Sequence, residues 1–225
     1  MALPISSPAL AVPTDLVFWH LVTRLGEAEI LLPAVLLAAL WLAFGAGQGR
    51  LTLRWLGLLA LAGTITTATK VAFIGYELGV PAWDFTGISG HATFATASYP
   101  MLLWVLLMHR GPRAQRIGVG FGFAIGLLIA YSRLPTHAHS SSEVVAGVLL
   151  GCTVSLLTLK LPRNGPPVPW WLPALTLVGL TVQPVYAPPS HTHDLVTRLS
   201  LRVSGHAQPY TRAEMHRRDK LGFDS

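Results

Sequence analysis

The most informative segment of this chain is Tyr131-Ser132-Arg133-Leu134-Pro135-Thr136-His137-Ala138-His139-Ser140-Ser141-Ser142-Glu143. It lies between two apolar runs that have the composition of membrane spans. Glu143 follows His139 by four residues, which is one helical turn. A second polar cluster, Ser89-Gly90-His91, opens an earlier apolar run. Arginine, histidine and a helix N-terminus are groups that hold phosphate, so the pattern indicates phosphate chemistry at a membrane edge.

The composition indicates a membrane protein. The 225 residues are 52% hydrophobic and 12% charged, with a mean hydropathy of +0.52. An ordinary soluble domain carries about twice that charged fraction. The surplus apolar surface therefore indicates that the chain is surrounded by lipid. A chain of this length is expected to form one domain.

The net charge of +6 does not indicate a nucleic-acid partner. The basic residues lie at the ends of apolar runs and in the C-terminal tail, where lipid head groups account for them better. The single cysteine, Cys152, lies inside an apolar run and has no second cysteine for an internal disulfide. Because no Cys/His cluster has metal-ligand spacing, we expect neither a metal nor a cofactor.

The predicted fold class is all-α, an integral membrane bundle of about six helices preceded by an N-terminal interfacial helix at Thr14–Leu25. The backbone polar groups of a span must be paired internally, which favours helices. Spans are predicted at Ile30–Gly45, Trp55–Ile74, His91–His109, Ile117–Tyr131, Val144–Leu161 and Trp170–Val185. Residues 1–186 would form the membrane domain, with a functional core at about 70–150. Residues 187–225 would form a polar basic tail that is disordered or lies on the surface.

The fourth predicted span carries glycines at intervals of four residues, namely Gly118, Gly122 and Gly126. These positions share one face of a helix. Glycines on one face allow the backbone of a neighbouring helix to approach closely. We therefore predict that this span packs tightly against another.

The orientation is predicted from the loop charges. The loops after spans one, three and five carry arginine or lysine, and the positive-inside rule makes their side cytoplasmic. Both polar clusters then lie on the other side, outside the cytoplasm. The expected location is a bacterial cytoplasmic (inner) membrane, with the site on the periplasmic or outer face. The basic tail would also lie outside, which conflicts with the rule.

The polar clusters resemble two motifs of the type 2 phosphatidic acid phosphatase superfamily, which also includes vanadium-dependent haloperoxidases. Ser132-Arg133, five residues, His139, three residues and an acid is similar to the third motif, although Glu143 stands where Asp is usual. Ile88-Ser89-Gly90-His91 is similar to the second motif, Pro-Ser-Gly-His, without its proline. The resemblance covers about residues 70–150.

The first motif of that superfamily, Lys, six residues and Arg-Pro, is only partly present. Lys70 is kept, but Glu77 and Leu78 occupy the Arg-Pro positions. Either Glu77 points away from the site in a rearranged loop, or the chain handles a different phosphate. His137 is a candidate accessory donor, and Asp84 is interpreted as a turn or cap residue.

The resemblance implies a role for each residue, and the chemistry of the side chains agrees. His139 would attack phosphorus and form a phosphohistidine, while Glu143 fixes its tautomer. His91 would protonate the leaving group and then activate water. The phosphate would be bound by Arg133, Lys70, Ser89 and Gly90.

Structural interpretations compete with these roles. Lys70 could simply extend to the interface, Arg133 could complement a helix dipole, and Ser141 and Ser142 are expected to cap the fifth span. The predicted function is a metal-independent phosphatase of lipid phosphomonoesters or pyrophosphates. Candidate substrates are phosphatidic acid, phosphatidylglycerol phosphate, polyprenyl pyrophosphate and lipid A phosphates. The alternatives are a lipid phosphotransferase and an inactive protein that binds or transports lipid phosphates.

Overall fold

The apolar runs of the sequence form long helices in the structure, a computed structural model that describes residues 14–159, Pro169, Trp171 and residues 192–222. We number the α-helices of these ranges in chain order. They are α1 Thr14–Arg24, α2 Ala28–Leu40, α3 Gly49–Tyr76, α4 Gly90–Leu107, α5 Pro112–Ser132, α6 Ser141–Leu159, α7 Thr192–Ser204 and α8 Arg212–Leu221. A π-helix, Trp41–Gly45, continues α2, and short 3₁₀ turns form at Pro81–Trp83 and Met108–Arg110.

Five helical segments are long and apolar enough to cross a membrane. They are Leu16–Gly45, Gly49–Tyr76, Gly90–Arg110, Pro112–Ser132 and Ser141–Leu159. The predicted all-α membrane bundle is therefore confirmed, with five of its six spans in place. All of the predicted sixth span, Trp170–Val185, except Trp171 lies outside the described residues.

All five described spans begin before their predicted starts, and two of them do so by five residues or more. Helix α3 begins at Gly49 rather than at Trp55, and α5 begins at Pro112 rather than at Ile117. The added turns carry arginines, which the hydropathy pattern excluded from the lipid. A helix can nevertheless continue into the head-group region, because it pairs its own backbone groups there as well.

Helix α4 lies at the centre of the bundle. In its most apolar window 72% of the residues are buried, against 28–44% in the other four segments. The main apolar core includes Met101 and Val105 of α4 together with Trp55 of α3, all of them fully buried. The lipid-facing surface of the bundle comes mainly from the surrounding helices, which expose leucine and phenylalanine.

The predicted glycine face of α5 is confirmed as the contact with α4. A Cβ atom at Gly126 would lie 3.0 Å from the Cα of Thr96, and one at Gly122 would overlap the backbone of Pro100. Helix α6 approaches α4 in the same way, although this was not predicted. A Cβ at Gly147 would lie 2.7 Å from the carbonyl oxygen of Ser89.

The described part of the C-terminal tail is ordered into helices, so the disordered alternative is wrong for residues 192–222. Helix α7 packs against the end of α3, where a Cβ at Gly75 would lie 3.0 Å from the carbonyl oxygen of Ser200. Met215 of α8 is 1% exposed and joins a small apolar cluster. The other members of this cluster are Phe73, Ile74, Val196 and Tyr210. The tail is thus attached to the bundle by apolar burial.

Candidate functional site

A cavity of about 850 Å³ lies at one end of the bundle, between α3, α4 and α7. Four of the ionisable site residues predicted from the sequence line it, namely Lys70, His91, Arg133 and His139. Lys70 comes from the last turns of α3, His91 from the first turn of α4, and the other two from the loop between α5 and α6. The antiparallel order of the helices thus brings separate motifs to one cavity.

The loop between α5 and α6 folds back on its own first residue. The carbonyl oxygen of Arg133 accepts hydrogen bonds from the amides of Ala138 and His139, at 3.2 and 3.3 Å. His137 makes this turn possible by adopting a left-handed backbone conformation, with φ of 52°. Its side chain is exposed and does not line the cavity, so its predicted accessory role finds no support in this position.

His139 and Glu143 form a close pair, as their spacing predicts. Nδ1 of His139 lies 2.6 Å from Oε2 of Glu143, whose side chain is completely buried. The Ser140 amide donates to the same oxygen at 3.1 Å. A carboxylate can only accept here, so Nδ1 carries the proton and Nε2 keeps its lone pair. The geometry thereby leaves the lone pair of Nε2 free of the Glu143 carboxylate.

The second carboxylate oxygen of Glu143 has partners that the sequence did not reveal. Oε1 accepts hydrogen bonds from the amide and the hydroxyl of Thr86, at 2.7 and 2.5 Å. It also accepts one from Nη2 of Arg212 at 2.8 Å. The carboxylate is therefore held on both oxygens, by the loop before α4 and by the C-terminal helix α8.

Arg133 is held by a short relay of hydroxyl groups. Its Nη1 donates to Oγ1 of Thr23 at 3.0 Å, and Thr23 lies 2.8 Å from Oγ of Ser132. Ser132 in turn donates to the carbonyl oxygen of Ile129 at 2.6 Å. The buried Nε of Arg133 has no hydrogen-bond partner among the described residues. Arg133 is thus fixed in place and retains a donor for an anion.

Burial lowers the pKa of both Arg133 and His139. It lowers the pKa of Arg133 to about 10, an effect opposed by the carboxylate of Glu27, so Arg133 still carries its charge at neutral pH. Burial also lowers the pKa of His139 below its usual value, and the hydrogen bond to Glu143 opposes this only in part. The cations Lys70 and Arg133 act in the same direction as burial. The cavity therefore combines a neutral imidazole at His139 with a charged guanidinium at Arg133.

The start of α4 lies at the cavity. Gly90 and His91 line the cavity, and the first amides of a helix have no partner within that helix. Ser89, predicted to bind phosphate, is fully buried and does not line the cavity. Its amide donates to the carbonyl oxygen of Glu143 at 3.1 Å, which ties the start of α4 to α6.

Glu77 and Asp84, the two acidic residues between α3 and α4, have different surroundings. Glu77 ends α3 in a left-handed conformation, pairs with Arg218 and does not line the cavity, as the rearranged-loop alternative predicts. Asp84 is a turn residue, as predicted, with φ of 49° at the end of a 3₁₀ turn. It also forms ion pairs with Arg212 and with His216, the latter at 2.7 Å.

Thr86 and Arg212 are the site residues that the sequence interpretation missed. Arg212 was assigned to a tail without a role, and it lies 69 positions from Glu143. One local signal was available: Thr211 followed three residues later by Glu214 is a capping pattern for a helix start. In the structure the Thr211 hydroxyl accepts from the Glu214 amide at 3.3 Å, and α8 begins at Arg212.

Comparisons with known proteins cover most of these positions. The family model described as the PAP2 superfamily matches residues 60–166, which include Lys70, His91 and the whole loop from Arg133 to Glu143. An uncharacterized 22.5 kDa protein in the cps region of Klebsiella pneumoniae is 30% identical over 204 residues. The alignment covers 88% of this chain and 98% of that protein. No solved structure matches the chain significantly.

Proposed function

Since this chain belongs to the PAP2 superfamily, we propose that it hydrolyses a phosphomonoester or pyrophosphate of a membrane lipid through a phosphohistidine at His139. The observation that carries the proposal is the 2.6 Å contact between His139 Nδ1 and Glu143 Oε2 at the wall of the cavity. The same cavity is lined by His91, Lys70 and Arg133. The cavity therefore brings together a nucleophile, a second histidine that can transfer protons, and two cations.

In the first step Nε2 of His139 attacks phosphorus, and the bond from phosphorus to the leaving oxygen breaks. The leaving oxygen takes a proton from protonated His91, while Glu143 stabilises the positive charge that develops on the imidazole of His139. Arg133, Lys70 and the amides at Gly90 stabilise the phosphoryl oxygens, since phosphoryl transfer depends mainly on positioning and charge.

In the second step water attacks the phosphohistidine. Neutral His91 takes one proton from this water, and the bond between phosphorus and Nε2 breaks. Inorganic phosphate leaves, His139 is restored, and His91 is again protonated for the next cycle. Because a side chain performs each task, we expect turnover to persist in the presence of a chelator.

The depth of the cavity supports a lipid substrate. On α3 its lining extends from Lys70 to Gly63, seven residues or about 10 Å along the helix. Phe94 of α4 lines the deeper part, where a Cβ at Gly63 would lie 3.4 Å from its ring. A phosphate beside Lys70 would thus have room for an apolar chain below it.

The first experiment compares wild type with His139→Ala in detergent and chelator. Release of inorganic phosphate is measured from phosphatidic acid, phosphatidylglycerol phosphate, polyprenyl pyrophosphate and lipid A, with a water-soluble phosphomonoester as the control substrate. The proposal predicts release from at least one lipid, faster than from the soluble ester and abolished in the variant. Equal release by His139→Ala would exclude the mechanism, and tight lipid binding without release would favour the binding alternative.

A second cavity favours phosphoryl transfer as the alternative activity. It has a volume of about 510 Å³, borders His139 as well, and is lined by residues 81–84 and 140–142. An acceptor other than water could approach the phosphohistidine from this side. Product analysis with lipid or sugar acceptors distinguishes the activities, because transfer yields a new phosphate ester in place of inorganic phosphate.

We further propose that the site faces the non-cytoplasmic side of a bacterial membrane. The first turns of α3 and α5 lie at the bundle end opposite the cavity and carry Arg50, Arg54, Arg113 and Arg116, whereas α7 and the start of α8 line the cavity. In a Cys152→Ser background, His206→Cys should react with an impermeant maleimide on intact cells, and Arg113→Cys should react only after lysis. The reverse labelling would overturn this orientation.

A further inference from the structure

We propose that Arg212 of α8 is a positioning residue that holds the Glu143–His139 pair, and that Glu77 anchors its helix to the end of α3. This inference rests on the proposed function, because it assigns a task within that mechanism. It also accounts for a residue that the matched family region does not include, since Arg212 lies beyond residue 166. The C-terminal segment would then contribute a positioning residue to the site.

The contacts of Arg212 connect three parts of the chain. Its Nη2 donates to Oε1 of Glu143 at 2.8 Å and to Oγ1 of Thr86 at 3.2 Å. Its Nη1 pairs with the carboxylate of Asp84. The guanidinium therefore joins the loop before α4 to the first turn of α6. The planar guanidinium, with several donors in a fixed arrangement, is suited to bridge two carboxylates in this way, whereas a lysine ammonium is a single point charge.

The contacts of Arg212 affect the orientation of His139 indirectly, through the carboxylate of Glu143. Thr86 donates twice to Oε1 of Glu143, and Arg212 holds the Thr86 hydroxyl in place. With Oε1 fixed, the rotation of the carboxylate is set, and Oε2 is directed at His139 Nδ1. Hydrogen-bond donors that hold a carboxylate in this way determine the orientation and tautomer of the histidine paired with it, although they do not contact the histidine themselves.

Helix α8 is anchored so that Arg212 has a defined position. Arg218, six residues further along α8, pairs with Glu77, and its guanidinium lies 5.0 Å from the centre of the Tyr210 ring. The Tyr210 amide donates to the carbonyl oxygen of Ile74 at 3.1 Å. Met215 is buried between these two attachments. The carboxylate at position 77 thus meets a cation on α8, at a position where the sequence resemblance expected an arginine.

The carboxylates that pair with Arg212 favour a positioning role for this residue over direct binding of phosphate. Arg212 is paired with Glu143 and with Asp84, so its charge is already balanced by acids. Arg133, in contrast, keeps a buried donor without a partner in the described residues. Arg212 does line the cavity, so binding of phosphate is the competing role. The two roles differ in kinetics, because a phosphate ligand affects KM as well as kcat.

The kinetic test uses Arg212→Met, Arg212→Lys and the matched control Arg217→Met on the same helix. Arg217 is exposed, and its ion pair among the described residues is with Glu214 of α8. Arg212→Met should lower kcat by about 10- to 100-fold with KM nearly constant, since loss of an orienting partner has this size of effect. Arg212→Lys should recover part of the loss, and Arg217→Met should match wild type. Wild-type kcat in Arg212→Met, a change in KM alone, or an equal loss in Arg217→Met would overturn the proposal.

The anchor is tested by charge reversal. Glu77→Arg and Arg218→Glu each place like charges together and should lower kcat, whereas the double variant restores the pair and should recover it. Independent losses in the double variant would contradict the anchoring role of Glu77.

A second readout does not depend on activity. In protein labelled with ¹⁵N-histidine, the His139 signals are identified by their loss in His139→Asn. Wild type should show the tautomer protonated at Nδ1, and Arg212→Met should show a mixture. If wild type hydrolyses none of the substrates, the proposed function has failed, but an unchanged tautomer in Arg212→Met is still needed to overturn the role of Arg212.

Discussion

The Nδ1 atom of His139 lies 2.6 Å from Oε2 of Glu143, and the carboxylate is completely buried. A buried carboxylate is costly unless all of its lone pairs are used, and here both oxygens accept hydrogen bonds. The pair is therefore a rigid unit. Its rigidity fixes the direction of Nε2 before any substrate arrives.

Glu143→Gln should lower kcat by about 10³-fold or more, because the amide cannot stabilise the developing charge and disturbs the tautomer of His139. Glu143→Asp keeps the charge but is one methylene shorter, and it cannot reach Thr86, Arg212 and His139 together. Its activity should lie between wild type and Glu143→Gln. Steady-state kinetics of the three proteins test this order, and Glu143→Gln with wild-type kcat would contradict the role of the pair.

The decline of activity at low pH is expected to report the protonation of His139. Attack requires the neutral imidazole, and burial lowers the pKa of His139 below the usual value of about 6.5. The pair with Glu143 opposes this shift, and the cations Lys70 and Arg133 support it. Activity should therefore decline as pH falls, with a midpoint of kcat/KM below about 6.5. A midpoint above 7 would show that His139 is not the group that titrates.

Arg133→Lys removes the planar fork but keeps the positive charge. We expect kcat/KM to fall by about 10²-fold, the usual effect of losing one well-placed donor to a developing oxyanion. Inhibition by inorganic phosphate should weaken in parallel. Arg116→Lys, at the other end of α5, is the matched control and should behave as wild type. Unchanged phosphate inhibition in Arg133→Lys would contradict a phosphate contact.

Gly122→Ala tests the contact between α4 and α5. The new Cβ would overlap the backbone of Pro100, which cannot rotate away, and we expect a loss of about 1–3 kcal/mol of stability. Gly120→Ala, on the same helix, meets no atom within 4 Å and should be neutral or slightly stabilising. Thermal unfolding in detergent compares the two. Equal Tm values would contradict the packing.

The parts of the molecule that the sequence predicted correctly depend on local patterns. Apolar run length predicted the spans, and the interval of four predicted both the glycine face around Gly122 and the contact of His139 with Glu143. The helix ends at Gly49 and Pro112 were missed because hydropathy measures the lipid boundary and not the end of the hydrogen-bonded helix.

The roles of Arg212 and Glu77 depend on tertiary contacts. Arg212 lies 69 positions from Glu143, and Glu77 lies 141 positions from Arg218. No period or spacing connects such residues. The capping pattern that begins at Thr211 predicts a helix, but tertiary contacts such as the apolar cluster around Met215 place that helix beside the site.

The most direct measurement is the detection of phosphate bound covalently to His139. Wild type is mixed with a ³²P-labelled lipid phosphate found in the substrate panel, quenched within the first turnover in alkaline detergent, and mapped by peptide mass spectrometry. The account predicts label on His139, absence of label in His139→Ala, and slower loss of label in His91→Ala, which lacks the base for the second step. Turnover by wild type without label on His139 at any quench time, or label that persists in His139→Ala, would contradict it.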